Sequence, residues 1–134
     1  MKTVVISSSA SLQDQIKKWL SFWVSKGYKV TDYPKEVKDS EFSKEYPMIH
    51  KNFYKKLYNP NLNVHFVLNE DKNNISGYIG PGVFAEIAFR VGLNLIQNKK
   101  VKIILFKKPS PKNHFYKDIQ LWLSLGWVRL FHEV

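Results

Sequence analysis

The feature that most constrains this chain is a run of strand, loop, helix and strand between Asn63 and Pro109. The apolar sequence VHFVL at 64–68 predicts a buried strand, and KVKIILF at 100–106 predicts a second one. Between them, a long loop that contains three glycines leads into a mostly apolar helix. Because strands connected through a helix run parallel in one sheet, this stretch predicts an α/β fold.

The rest of the chain repeats this alternation. Further strands are predicted at 3–7, 28–33 and 127–134, and further helices at 11–26, 47–58 and 114–125. The first of these helices is expected to begin at the capping-type spacing of Ser11 and Asp14, and the charged segment 35–46 is expected to be a loop or a loose helical turn. Five strands with intervening helices favour a single doubly wound domain over 1–134, with a parallel sheet in the flavodoxin-like order 2-1-3-4-5.

Composition narrows the classes of protein to which the chain can belong. There are no cysteines, which excludes disulfides, thiolate metal sites and cysteine nucleophiles. No apolar run is long enough to span a membrane, and the strand predicted from Thr3 is expected to leave no room for a signal peptide. We therefore expect a soluble, cytoplasmic protein that requires no metal and no cofactor.

The net charge of +10 has two interpretations. A basic surface attracts the phosphates of nucleotides, nucleic acids or anionic lipids, but a lysine-rich composition can also simply keep a surface soluble. Between Asn98 and Asn113 there are six lysines and no acid, which predicts one basic face. Nucleic-acid binding through this face is the least favoured of the functions considered.

In the predicted order, the first and third strands are neighbours, so the loops that follow them face each other across one crevice. The loop after the first strand is the serine-rich run at 7–11, which either binds an anion beside a helix N-terminus or is a solvated loop that caps the helix. The loop after the third strand carries Gly77, Gly80 and Gly82, which allow the backbone to approach a ligand closely. Tyr78 in that loop could stack on a ligand base.

Glu86 is the carboxylate best suited to chemistry in this crevice. It lies near the start of the following helix, whose dipole favours the ionised form, so Glu86 is expected to be a carboxylate at neutral pH. Such a carboxylate can attack an electrophilic sugar carbon, as in retaining glycosyl transfer, and Asp71 could help the leaving group. The alternative is that Glu86 and Arg90, four residues apart, form an ordinary surface ion pair.

Other polar residues have plainer interpretations. The four histidines have no metal-ligand spacing, and His65, within an apolar strand, is expected to be a hydrogen-bonded core residue. No Ser/His/Asp catalytic arrangement is predicted, because no candidate base lies near Ser7, Ser8 or Ser9 in the sequence.

The segment from 64 to 109 resembles the core of the nucleoside 2-deoxyribosyltransferase superfamily, which includes nucleoside and nucleotide N-glycosidases. The resemblance is carried by the motif at 86–89, Glu-Ile-Ala-Phe, by Lys99 and Lys100 before the fourth strand, and by the opening VVISSSAS. It implies a Rossmann-like, often dimeric protein that acts on a nucleoside or nucleotide. Glu86 matches the nucleophile that forms a glycosyl-enzyme intermediate.

The resemblance also implies how a substrate would be held. The serine loop would bind the 5′ end of the nucleoside or its phosphate, while Asn69 and Asp71 would orient the sugar or base. Glu86 and Asp71 are thus the catalytic candidates. The predicted substrate-binding residues are Ser7, Ser8, Ser9, Asn69, Tyr78, Gly80 and Gly82.

The sequence departs from the family pattern at three positions. Gly80 stands where the transferases carry an aspartate, Asn52 stands where another aspartate is common, and Arg90 replaces an alanine. These departures leave two functions open beside deoxyribosyl transfer. One is simple N-glycoside hydrolysis through Glu86, and the other is nucleotide binding or sensing without catalysis.

Overall fold

The computed structural model describes residues 1–98 and 100–133, and strands and helices alternate along it as the sequence predicts. The strands are β1 (Lys2–Ser7), β2 (Tyr28–Asp32), β3 (Val64–Val67), β4 (Lys102–Leu105) and β5 (Arg129–Leu130). The helices are α1 (Gln13–Ser25), α2 (Phe42–Tyr58), α3 (Pro81–Ile96) and α4 (Tyr116–Ser124), with 3-10 turns at Asp39–Glu41 and Phe131–Glu133.

These strands form one parallel sheet in the order β2-β1-β3-β4-β5, which confirms the predicted fold class and strand order. β1 lies beside β3, with Val5 opposite His65 and Ser7 opposite Val67. The order of the strands therefore reverses beside β1. The crevice at the carboxyl ends of β1 and β3 is the switch point at which sheets of this type bind ligands.

One face of the sheet is covered by α1. Val4 and Ile6 of β1 and Phe66 of β3 point to this face and pack in a cluster with Trp19 and Trp23. The spacing of these residues follows the two-residue period of a strand and the helical period of α1.

The other face is covered by α2, α3 and α4. Val5 of β1 packs here with Phe53 and Leu57 of α2, and Val67 of β3 packs with residues of α3 and α4. Ser7 and His65 lie two residues from Val5 and Val67 on their own strands. The same alternation therefore turns Ser7 and His65 toward α2 and α3.

Helix α2 begins at Phe42, five residues before the predicted start at Pro47, which lies inside the helix. The segment 42–46 was expected to be a loop or a loose helical turn because it is charged. Its helical conformation is stabilised by ring stacking one turn apart, with the ring centroids of Phe42 and Tyr46 separated by 4.7 Å.

Two other boundaries also differ from the prediction. Helix α1 begins at Gln13, and Ser11 does not cap it, because the Ser11 hydroxyl is hydrogen-bonded to Ser9 at 2.9 Å. Strand β5 has only two residues, Arg129 and Leu130, and the 3-10 turn that follows places Phe131 against the ring of Trp19. Lys99 and Val134, which were included in predictions above, lie outside the described residues.

The lysines near β4 do not make the single basic face that was predicted. Lys100 and Lys102 lie at the amino end of β4, whereas Lys107, Lys108 and Lys112 follow its carboxyl end. The strand between them separates the two groups by roughly 16 Å at about 3.3 Å per residue. In the described part of the chain, no helix is both long enough and apolar enough to cross a membrane.

Candidate functional site

Glu86 is held at the switch point by two short contacts in series. Ser7, the last residue of β1, donates a hydrogen bond from Oγ to Oε1 of Glu86 at 2.7 Å. The same Ser7 Oγ lies 2.6 Å from Nε2 of His65 on β3. Ser7 and His65 are completely buried. β1, β3 and α3 therefore each contribute one residue to a Ser7–His65–Glu86 cluster, which the sequence did not predict.

Burial changes the ionisation of Glu86. Removal of the carboxyl from water raises the pKa of Glu86 from 4.5 to about 7, the hydrogen bond from Ser7 opposes that rise, and the charge of Asp32 adds to it. The expectation of a fully ionised Glu86 at neutral pH is therefore wrong. Glu86 is the sixth residue of α3, beyond the first turn where the dipole acts most strongly, so desolvation outweighs the dipole.

Arg90 does not pair with Glu86. Its side chain is completely buried, and it donates from Nη1 to the backbone carbonyl of Leu57 at 2.6 Å and from Nη2 to Oε1 of Gln97 at 2.9 Å. Among residues 1–98 and 100–133, Glu86 forms no ion pair. The interpretation of Glu86 and Arg90 as a surface ion pair is therefore wrong, because the arginine is directed to the carboxyl end of α2.

Two cavities meet at Glu86. One has a volume of about 300 Å³ and the other about 340 Å³, and both are lined by Ser8 and Glu86. Each is close to the lower end of the range for ligand pockets, roughly 300–1,000 Å³. A ligand that extends from one cavity into the other therefore passes Ser8 and Glu86, the two residues that line both.

The first cavity, here called the serine cavity, contains most of the predicted binding residues. It is lined by Ser8, Ser9, Tyr78, Gly80 and Gly82. A Cβ atom at position 82 would meet no other atom within 4 Å, so the absence of a side chain there leaves the space open. The structure thus brings together the loops after β1 and β3 as the predicted strand order requires.

Lys72 bridges the serine cavity from one loop to the other. Its Nζ donates a hydrogen bond to Oγ of Ser9 at 2.8 Å and lies 5.9 Å from the centre of the Tyr78 ring. An ammonium group beside a serine hydroxyl and a helix N-terminus is a favourable environment for an anionic group.

The second cavity, here called the aromatic cavity, lies between the loop after β2 and helix α2. Tyr33, Phe42, Tyr46, His50 and Phe53 contribute to its lining. Successive rings on α2 are in contact, with centroid separations of 4.7 Å, 5.2 Å and 4.7 Å along the series from Phe42 to Tyr54. A surface of this kind can stack against a planar ring.

Three predicted site residues lie elsewhere. Ser7 is buried and bonded to Glu86, so it lines neither cavity. The Asn69 amide is hydrogen-bonded to the backbone of Lys107 in both directions, at 2.7 Å and 3.1 Å. Asp71 accepts a hydrogen bond from the Gly77 backbone amide at 3.0 Å, and it forms an ion pair with Lys107 at 3.0 Å. The structure therefore places Asn69 and Asp71 where they hold the loop, and neither lines either of the two cavities at Glu86.

The long loop between β3 and α3 is an ordered unit. Lys72 and Ile75 form a small antiparallel bridge around Asn73 and Asn74, which both have positive φ as the tightest hairpin turns require. Gly77, unlike Gly80 and Gly82, does not line the serine cavity. It has φ +63°, and a Cβ atom there would lie 2.9 Å from the carbonyl oxygen of residue 108, so this glycine permits loop-to-loop packing.

Three polar residues near Glu86 were missed by the sequence interpretation. Glu70 and Lys72 line the serine cavity, one residue on either side of the predicted Asp71. Asp32, the last residue of β2, is buried and acts electrostatically on Glu86. The strand order could have identified Asp32, since it ends the strand next to β1. Nothing in the sequence distinguishes Glu70 and Lys72 from Asp71.

Within the described ranges, no three His, Asp or Glu side chains come together in a way that could hold a metal ion. No family model matches this chain, and neither a curated protein nor a solved structure does. The function must therefore be argued from the site itself.

Proposed function

We propose that this protein is a nucleoside or nucleotide N-glycosidase, similar in mechanism to the nucleoside 2-deoxyribosyltransferases, with Glu86 as the nucleophile. The observation that carries the proposal is the position of the Glu86 carboxyl group where two cavities meet at the switch point. In a nucleoside, the anomeric carbon lies between the base and the 5′ end. If each end occupies one cavity, that carbon is next to Glu86.

The two cavities differ in a way that assigns the two ends. The serine cavity presents the ammonium group of Lys72 and the hydroxyl of Ser9, which suit a 5′ hydroxyl or phosphate. The aromatic cavity presents the rings of Tyr33 and Tyr46, which suit a planar base. Tyr78 lines the serine cavity, which this assignment gives to the 5′ end of the ligand. That Tyr78 stacks on a base therefore stays a prediction.

The chemistry follows from the hydrogen bonding of Glu86. Oε1 accepts the bond from Ser7, and Oε2 has no hydrogen-bond partner in the described part of the chain, so we assign Oε2 as the nucleophile. Its attack forms the bond to the anomeric carbon while the glycosidic bond to nitrogen breaks and its electron pair leaves with the base. Water, or a second base, then attacks the anomeric carbon of the glycosyl-enzyme intermediate and releases the Glu86 carboxylate.

The test is the release of free base from a panel of nucleosides, 2′-deoxynucleosides and their 5′-monophosphates. We expect at least one of them to be cleaved by the native protein and none to be cleaved above background by the Glu86→Ala variant. Cleavage that is undiminished in Glu86→Ala would exclude the proposed mechanism.

A second candidate function is the binding of the same ligands without catalysis. It is favoured by the raised pKa of Glu86, about 7, because a protonated carboxyl group is not a nucleophile. Under this alternative, a nucleoside or nucleotide raises the melting temperature and is recovered intact after prolonged incubation. Base release at pH 8, where Glu86 is mostly ionised, would decide against it.

A further inference from the structure

The buried Ser7–His65–Glu86 cluster has a hydroxyl in its middle, which distinguishes it from a hydrolase triad. In a triad, histidine lies between the serine and the carboxylate and takes the proton of an exposed serine. Here Ser7 contacts both partners, at 2.6 Å and 2.7 Å, and is completely buried. Ser7 cannot attack a substrate from this position. Its hydroxyl instead connects an imidazole to a carboxylate.

The direction of the hydrogen bonds is fixed by the burial of His65. Ser7 has one hydroxyl hydrogen, which it uses to donate a hydrogen bond to Glu86, so its oxygen must accept a hydrogen bond from Nε2–H of His65. Nδ1 of His65 is buried and has no hydrogen-bond partner among the described residues. The Nε2–H tautomer leaves only a lone pair unsatisfied there. The opposite tautomer would leave a buried N–H without an acceptor, which costs more.

Burial, with a smaller contribution from the charge of Arg90, keeps His65 in the neutral form that this arrangement requires. Burial and the positive charge of Arg90 lower the pKa of His65 from 6.5 to about 3. The imidazole is therefore neutral throughout the pH range in which Glu86 titrates. The neutral imidazole donates a hydrogen bond from Nε2–H to Ser7, and this bond and the bond from Ser7 to Glu86 polarise each other in the direction of Glu86.

From these contacts we propose that Ser7 and His65 are positioning residues, which hold Oε1 of Glu86, stabilise its carboxylate form and leave Oε2 directed to the ligand. The role of Oε2 rests on the proposed function. The stabilisation of the carboxylate does not, and it can be measured without a substrate.

Other charged groups also face Glu86, and they are unchanged in the variants that test this inference. From β2 and α2 these are Asp32 and Tyr54, whereas Arg90 of α3 is directed away from Glu86 to the carbonyl of Leu57. The serine cavity adds Glu70 and Lys72, and the aromatic cavity adds Lys35, Glu36, Asp39 and His50.

The first experiment is a titration of the Glu86 carboxyl group by ¹³C NMR, with glutamate labelled at Cδ and the resonance assigned with Glu86→Gln. In Ser7→Ala we expect the midpoint to rise by about one to two pH units, the size expected for loss of a hydrogen bond to a charged group. The matched control is Thr3→Val, which removes a hydroxyl from the same strand far from Glu86. A midpoint that is the same in Ser7→Ala and in the native protein would overturn the inference.

The second experiment separates positioning by His65 from simple core packing. His65→Gln retains an N–H donor near the Nε2 position, whereas His65→Leu retains the bulk and removes the donor. We expect the Glu86 midpoint to stay near the native value in His65→Gln and to rise in His65→Leu. Equal midpoints in the two variants would show that His65 has only a packing role.

If a variant fails to fold, the native protein still provides a test. Long-range ¹H–¹⁵N spectra report the tautomer of His65, and we expect Nε2–H with no titration of His65 down to about pH 4. The Nδ1–H tautomer would contradict the proposed direction of the bonds.

The result can be distinguished from failure of the proposed function. A Glu86 midpoint that rises in Ser7→Ala supports the positioning role even if no nucleoside is cleaved. If base release occurs, its acid limb in kcat/KM should move to higher pH in Ser7→Ala by the same interval as the NMR midpoint. Base release with an unmoved limb would overturn the positioning role and leave the proposed function intact.

Discussion

Glu86 and Asp71 are both acidic side chains at the carboxyl edge of the sheet, but their surroundings are opposite. Glu86 is largely removed from water, and burial raises its pKa to about 7. Asp71 is 60 % exposed, and the Gly77 amide and the Lys107 ammonium group lower its pKa. The carboxyl group of Glu86 is desolvated where β1, β3 and α3 meet, which disfavours its ionised form. The carboxylate of Asp71 is already bonded to Gly77 of its own loop and to Lys107.

The difference indicates which acid is available for chemistry. A carboxyl group with a raised pKa that lines two cavities has the properties of a catalytic or ligand-binding group. A carboxylate stabilised by a backbone amide and a lysine has the properties of a structural group. The following predictions are ordered by the expected size of the effect.

The largest effect is expected on catalysis. Glu86→Gln should lower kcat/KM for base release on the order of 10³-fold or more, because the amide cannot form a covalent glycosyl intermediate. Asp71→Asn, the matched change in the neighbouring loop, should lower it only slightly. Comparable losses in the two variants, measured on the same substrate, would show that both carboxylates take part in the reaction.

The two acids should also have opposite effects on the pH dependence of stability. The pKa of Glu86 in the folded protein is raised. The contribution of this carboxyl group to the free energy of unfolding is therefore fully present below pH 4.5 and is lost as the pH rises through about 7. Over that interval the native protein should lose up to about 3 kcal/mol of unfolding free energy relative to Glu86→Gln. Urea unfolding of both proteins at a series of pH values measures the difference.

For Asp71 the sign is reversed. The pKa of Asp71 in the folded protein is lowered from 3.8. The contribution of this carboxylate to the free energy of unfolding is therefore present above pH 3.8 and is lost as the pH falls. The native protein should therefore lose stability relative to Asp71→Asn only in acid. A difference between these two proteins that grows from pH 5 to pH 8 would mean that the assignment of Asp71 is wrong.

The loop that carries Asp71 should depend on Gly77. Gly77→Ala introduces a Cβ atom 2.9 Å from a backbone oxygen at a position with φ +63°. We expect it to lower the free energy of unfolding by about 2 kcal/mol. Gly92→Ala is the control, because Gly92 lies within α3 with open space around it, and this change should stabilise the protein by about 0.5–1 kcal/mol. Both values can be obtained from thermal or urea unfolding. A Gly77→Ala variant as stable as the native protein would show that the loop tolerates a different conformation.

A smaller effect is expected at the Lys72 ammonium group, which lies in the serine cavity. Lys72→Met should raise KM for a nucleoside 5′-monophosphate by about tenfold, the size of one hydrogen bond to a charged group, and leave KM for the nucleoside unchanged. Lys108→Met, at an exposed lysine that lines neither cavity, should change neither constant. Equal increases for nucleoside and nucleotide would place the phosphate elsewhere.

The alternation of apolar strands and helices was sufficient to predict the parallel sheet and the order of its strands. It also predicted that the loop at Ser8 and Ser9 would face the loop at Gly80 and Gly82, because the carboxyl ends of neighbouring parallel strands share one edge. Element boundaries were less predictable. The start of α2 at Phe42 depends on ring stacking along its surface, which charge composition does not show.

The fold, the crevice and the position of Glu86 beside it could be predicted without a structure, since these depend on the periodicity of apolar residues and on the rules of parallel-sheet connection. The partners of the polar side chains became known only from the packing of the elements. Arg90 is one helical turn from Glu86, yet it binds the carboxyl end of α2. His65 is 58 residues from Ser7 in sequence and 2.6 Å from it in space. Hydrogen bonds and desolvation depend on distances of a few ångströms across separate elements, and these distances are set by packing.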